Sequence, residues 1–234
     1  MENIMGNEQA LKSNGHFAMI DLEMCRVPRK TAQTLGMKHE IIQIGAVLLN
    51  ADYEIIDRFN RYVRPVYGQL DDFIKELTGI TEKDLAGAGS FEAVLQDFTA
   101  WIPADATMIS WSMSDRKQLK EELGAKQLTS DVLTRLFETW IDCQPMFAEK
   151  LNSRRRYSLQ EALVAADIKT QGNAHDGLSD AYNTALLFAK MMTSEVFTLN
   201  EYFRIAHEDT EPEPLVFSMG DLFAGIDFSS LAIA

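Results

Sequence analysis

Two hydrophobic periods alternate along this chain. Short, nearly continuous apolar runs are interleaved with stretches in which apolar residues recur every three or four positions. Residues 17–22 form the first run and predict a strand, whereas 25–40, with Pro28, Gly36 and several basic residues, read as a loop. Residues 41–49 predict a second strand, Asn50-Ala51-Asp52 a tight polar turn, and 54–63 a third strand, so these two make a hairpin. A short helix is predicted over 71–77, and Thr81 with Asp84 three residues on marks another helix start. Ser90 can cap the next helix. Phe91, Val94, Leu95, Phe98, Trp101 and Ile102 then share one buried face until Pro103 ends it.

The second half repeats the alternation. Residues 107–111 predict a fourth strand, 115–123 a helix and 137–142 a fifth strand. Residues 145–151 predict a helix opening on Pro145, where proline is tolerated. Ser158 and Glu161 form a capping box ahead of a helix over 159–166, Gly172 breaks the chain, and 178–192 predict a long helix. Three leading strands followed by alternating helices and strands indicate an α/β fold, a mixed sheet covered by helices. Residues 1–15 read as a flexible lead-in, 16–193 as the folded domain and 194–234 as a C-terminal extension. In that extension 208–214 form an acidic, proline-bearing linker, and 215–234 are apolar with Gly220 and Gly225.

Composition narrows the picture. A chain of 234 residues with 46% hydrophobic content can bury a sizeable core. A net charge of −13 argues against a large basic nucleic-acid surface, though not against a local basic strip. Cys25 and Cys143 lie far apart and lack zinc-ligand spacing, so they read as free thiols in a reducing compartment. The N-terminus shows no cleavable signal, and no segment approaches the roughly 20 apolar residues of a membrane span. A cytoplasmic protein without membrane association is expected.

One feature of the first strand needs a reason: Asp21 and Glu23 interrupt its apolar run. Residues i and i+2 of a strand face the same side. Two acids pointing the same way repel, and a hard divalent cation is the natural compensation. Asp115 closes the segment 108–115, and His175 and Asp180 sit at the start of the last long helix. Acids drawn from three segments can hold two Mg²⁺ or Mn²⁺ ions, which together can activate a water, neutralise phosphate oxygens and stabilise a leaving alkoxide. Histidine titrates near neutrality, so His175 can take the proton of the attacking water.

Asp21-x-Glu23 on an apolar strand, Asp115 at a strand–helix junction, and His175-x₄-Asp180 opening a helix resemble, in order and spacing, the DEDDh 3′→5′ exonuclease family. Leu77-Thr78-Gly79-Ile80-Thr81 matches a recurrent loop of that family, and the resemblance covers about residues 16–192. It implies an RNase H-like mixed five-stranded sheet flanked by helices. Ser110-Trp111-Ser112, where most members carry His-Asn, and Gly177-Leu178 with Asn183 and Ala185 are similar to the ERI, 3′ histone mRNA exonuclease and KapD subgroup, where RNA is the usual substrate. Met24-Cys25 departs from the small residue and threonine that touch the terminal nucleotide there. The roles implied are Asp21 bridging both metals, Glu23 and Asp180 completing one site, Asp115 holding the other, and His175 as general base.

The expected partners are therefore single-stranded RNA or DNA 3′ ends, with nucleoside 5′-monophosphates as products. A DNA or short-oligonucleotide exonuclease is an alternative, since an acidic chain suits substrates with few phosphate contacts. A catalytically idle fold used for binding is another, weakened by the retention of all five residues. Substrate contacts are assigned to Met24, to Trp111 (a base-stacking platform or a core residue) and to Arg154, Arg155 and Arg156 (phosphate contacts or a solvated loop). Lys30, Lys38 and His39 are further candidates for phosphate.

Overall fold

The computed structural model describes residues 15–194, 196–201 and 203. The expected acidic linker and apolar tail, and all of the lead-in except residue 15, lie outside the described residues. Five strands form one mixed sheet in the order β3-β2-β1-β4-β5. They are β1 (Phe17–Arg26), β2 (His39–Leu49), β3 (Ile55–Tyr62), β4 (Thr107–Ser110) and β5 (Ile141–Asp142). β1–β2 and β2–β3 pair antiparallel, and the hairpin turn is held by Asn50, whose side-chain oxygen accepts the Asp52 and Glu54 N–H groups at 3.0 and 2.9 Å. β1–β4 and β4–β5 pair parallel and so need helical crossovers.

The helices are α1 (Arg29–Leu35), α2 (Asp72–Thr78), α3 (Glu82–Ala86), α4 (Phe91–Trp101), α5 (Ser114–Ala125), α6 (Asp131–Glu138), α7 (Cys143–Lys150), α8 (Leu159–Ala165) and α9 (Gly177–Thr193). They cover both faces of the sheet, which is why its central strands are apolar almost throughout. Ala18, Ile20 and Leu22 pack with α4, α5 and α6, whereas Phe17 and Met19 pack with α7, α8 and α9. Among the described residues no helix is long and apolar enough to cross a membrane.

Two predicted elements are corrected. The expected loop over 25–40 contains the end of β1 and helix α1, which begins after Pro28 and stops at Gly36 in a left-handed conformation, φ 67°. α1 buries no residue, so it carries no apolar period to detect. The expected strand over 137–142 is mostly helix: Ser130 caps α6, and Leu133, Leu136 and Phe137 bury its inner face. The i, i+3, i+4 spacing and the cap outweigh the strand preference of Phe137, Trp140 and Ile141, and only Ile141–Asp142 remains as β5.

Two contacts set the position of later chemistry. α5 is fastened to β2 by a buried ionic cluster, in which Lys126 Nζ meets Glu40 and Glu122 at 2.7 Å each and Glu122 accepts the Ile41 N–H at 2.8 Å. α9 presses its first turn onto β2 at Gly45, where a Cβ would stand 2.1 Å from the Gly177 carbonyl carbon. Gly45→Ala must therefore push α9 off the sheet. Overpacking of this kind costs about 1–3 kcal/mol, so a thermal scan should show a clearly lowered Tm. An unchanged Tm would mean that the contact is not tight.

Candidate active site

The two parallel pairings set the carboxyl ends of β4 and β5 beside the middle of β1, near Asp21, and the carboxyl ends of parallel strands are the usual place for chemistry in such sheets. Asp21 lies opposite Gly45, Glu23 lies opposite Gln43, and the register slips between Glu23 and Met24. Such an irregularity re-aims side chains next to a site. Asp115 stands in the first turn of α5, immediately after β4, and its Oδ1 accepts the Leu22 N–H at 3.2 Å, which ties the second segment to the first. Asp180 stands in the first turn of α9, and its Oδ2 accepts the His175 N–H at 2.8 Å. His175 is exposed and takes a left-handed backbone conformation, φ 61°. Glu23, His175 and Asp180 each offer a ligand atom, all within 4.8 Å of one another.

The electrostatics of this cleft are unfavourable without a cation. Burial, then the charges of Asp115, Glu23, Asp180 and Asp176, hold the Asp21 carboxyl well above the ordinary carboxylate range. Burial, then Asp180, Asp115 and Asp176, push Glu23 up to about 9. Burial lifts Asp115 to about 7 against the opposing pull of the Leu22 N–H, and nearby Asp142 adds to the rise. Burial also raises Asp180, and Asp176 adds to it, while the His175 N–H works the other way. Asp180 Oδ1 is buried with no hydrogen-bond partner. An orphaned carboxylate oxygen beside three repelling acids is what a hard divalent cation would satisfy, so the residues present fit such an ion.

The structure thus brings Asp21, Glu23, Asp115, His175 and Asp180 together. It treats the expected substrate contacts differently. Trp111 is core: it is 8% exposed, packs against Phe147 and donates its Nε1–H to the Tyr157 carbonyl at 3.1 Å. Its indole is therefore not a stacking platform. Arg155 pairs with Glu161 and lies over the Tyr157 ring, so it fastens the loop to α8 instead of facing solvent. Arg154 and Arg156 are exposed; burial raises the Asp142 carboxyl, and the charge of Arg156 works against that rise. Met24 is half-buried against the inner core; Lys30 and Lys38 are exposed, and His39 is half-buried.

Three residues of the cleft escaped the sequence reading. Asp142 closes β5 beside Asp115, and Asp176 caps α9 by accepting the Ser179 N–H and hydroxyl at 3.0 and 2.6 Å. Gln43 is a fully buried amide on β2 facing α9. A polar residue inside the run His39–Leu49, two positions from a glycine, was the available signal.

A family model described as exonuclease (RNase T) matches residues 18–188. Rat 3′-5′ exoribonuclease 1 is 29% identical over 190 residues, covering 76% of this chain and 53% of the rat protein. Human ERI1 exoribonuclease 2 is 32% identical over 217 residues, covering 80% of this chain and 30% of the human protein. This chain therefore spans about half or less of the length of these relatives. The crystallographic structure of the nuclease domain of 3′hExo, a DEDDh family member bound to rAMP, superposes with a TM-score of 0.66 at 26% identity, covering 81% of this chain and 98% of that one. E. coli exonuclease I in complex with a dT13 oligonucleotide, at 15% identity and a TM-score of 0.59 over 76% of this chain and 41% of that one, shares the fold alone. By the extent of the family match and the order of its acids, the chain belongs to the exonuclease (RNase T) family and to its DEDDh group.

Proposed function

We propose that this chain is a metal-dependent 3′→5′ exonuclease acting on RNA, hydrolysing phosphodiester bonds from the 3′ end and releasing nucleoside 5′-monophosphates. The observation that carries this reading is the convergence of Asp21, Glu23, Asp115 and Asp180 beside the exposed His175, with one Asp180 oxygen left unpartnered. The names of the relatives agree: the rat protein is called an exoribonuclease, and the 3′hExo domain was solved with a ribonucleotide.

In this reading Asp21, Glu23, Asp115 and Asp180 would hold two Mg²⁺ or Mn²⁺ ions. Such ions, when bound, activate water, neutralise phosphate oxygens and stabilise the departing alkoxide. The chain's own part is positional. β1 fixes two acids on one face, α5 delivers the third through the Leu22 contact, and α9 delivers the fourth. His175 accepts the proton of the attacking water at a ring nitrogen, and its backbone N–H, bound to Asp180, fixes the distance between base and acid. Exposure suits the imidazole to this task, because the proton must then leave to solvent. Arg156, whose charge reaches Asp142 at the end of β5, and Arg154 would serve as phosphate contacts, and Met24 would meet the terminal nucleotide. Residues 16–193 form the catalytic domain and 194–234 an extension. Free buried thiols at Cys25 and Cys143 suit a cytoplasmic location.

Matched RNA and DNA oligomers labelled at the 5′ end, incubated with Mn²⁺, test the assignment. RNA should shorten stepwise from a free 3′ end, faster than DNA, and a blocked 3′ end should protect it. Asp115→Asn and Asp180→Asn should abolish turnover, and His175→Ala should lower it about 10²–10⁴-fold. Cleavage of circular RNA, or near-native turnover in both acid variants, would refute it.

The raised carboxyls also predict how stability depends on pH. Glu23 moves from an ordinary 4.5 to about 9 on folding. Its contribution to stability is therefore fully present below about 4.5 and is lost as pH rises through about 9. In chelator, the Tm of the wild type should fall increasingly behind that of Glu23→Gln as pH rises from 5 towards 9, by roughly that linkage. Excess Mn²⁺ should restore the wild type, by about 2.7 kcal/mol at a hundredfold excess over Kd. Parallel melting curves for the two proteins across this range would show that Glu23 is not held against its charge.

A further inference from the structure

Gln43 is fully buried on β2, in register with Glu23. Its Nε2 donates to Asp176 Oδ1 at 2.8 Å and to Asn60 Oδ1 at 3.0 Å, and its Oε1 accepts the Gly177 N–H at 3.0 Å. The amide has one orientation only. A backbone N–H can only donate and an ionised carboxylate can only accept, so exchanging the amide's oxygen and nitrogen would break both bonds to α9. Asp176 uses its other oxygen to cap α9 through Ser179. A Cβ on Gly177 would lie 3.1 Å from the Asp21 carbonyl and 3.4 Å from the Gln43 amide, so the start of α9 is seated directly on β1 and β2.

We propose that Gln43 is a positioning residue for the active site: its amide clamps Asp176 and Gly177, and through them sets where His175 and Asp180 stand relative to Asp21 and Glu23. His175 is joined to Asp176 by one peptide bond, and Asp180 lies in the same helical turn as Gly177. A shift of α9 along the sheet therefore moves the base and one acid together. A neutral amide suits the position. A carboxylate at 43 would add another negative charge opposite Glu23 and would face the acceptor oxygen of Asp176 without a proton to share. The assignment rests on the exonuclease reading for its consequence in turnover, but the clamp itself can be tested without hydrolysis.

Gln43→Glu removes the donor to Asp176 while keeping the acceptor for Gly177. Asp176→Asn removes the acceptor charge but can still cap Ser179 with its amide oxygen. The double variant Gln43→Glu/Asp176→Asn reverses the polarity of the bond, with the Asn amide nitrogen donating to the Glu carboxylate. Each single variant should lower kcat by roughly 10- to 100-fold with KM little changed, the effect of a small misplacement of catalytic groups. The double variant should recover most of that loss. The Mn²⁺-induced rise in Tm, measured on the same four proteins, should shrink in each single variant and return in the double. Native kcat and native metal shift in Gln43→Glu, or a double variant no better than the worse single, would overturn the proposal. If the wild type fails to hydrolyse any oligonucleotide while the metal shifts follow the expected pattern, the exonuclease reading falls and the clamp stands.

Discussion

Like charges repel, and burial strengthens the repulsion because less water screens it. Asp21, Glu23, Asp115 and Asp180 are nevertheless gathered into one cleft, each with its carboxyl raised by burial, and the first two also by the charges of neighbouring acids. Nothing in folding favours this arrangement for its own sake. The surrounding structure must hold the acids in place against their mutual repulsion, and much of the fold can be understood as the means of doing so. The parallel pairing of β1 with β4 brings the end of β4 beside the middle of β1, and the buried Lys126 cluster pins α5, which carries Asp115, to β2. The Gly45–Gly177 contact and the Gln43 amide pin α9, which carries Asp180.

The two fastenings differ in kind. The one on α5 is ionic and sealed: Glu40 and Glu122 are fully buried, and one lysine answers both. Removing one member of such a cluster leaves an unpaired buried charge, which is far costlier than losing a surface pair. The one on α9 is steric and hydrogen-bonded, and it lies within the cleft itself. α5 is thus anchored away from the reacting groups, whereas α9 is anchored among them. The Gln43 amide is therefore coupled to catalysis and the Lys126 ammonium to stability.

Most of this was legible in the sequence where local rules agree. The caps at Ser90 and Ser158, the Asn50 turn and the apolar strand runs predict elements that the structure contains. Asp21 and Glu23 were legible because charge inside an apolar strand is conspicuous, and Asp115, His175 and Asp180 because they stand at element boundaries in a familiar order. α1 was not legible, because a helix with no buried face has no period. α6 was obscured because its last residues favour strand as much as helix. Trp111 and Arg155 have side chains suited to nucleic acid, and only the tertiary structure reveals that Tyr157 and Glu161 already engage them. Gln43 and Asp176 were hidden for the same reason: their meaning is the bond between them, across 133 positions of sequence.

The central claim is that the cleft is built for divalent cations, and their stoichiometry tests it most directly. Metal-free protein titrated with Mn²⁺, with the free ion followed by its electron paramagnetic resonance signal, should take up about two ions per chain, as a paired-metal phosphodiesterase site requires. Asp21→Asn, which removes one of the four acid charges proposed to hold them, should lose that uptake. Absence of saturable uptake by the wild type, or undiminished uptake by Asp21→Asn, would contradict the account.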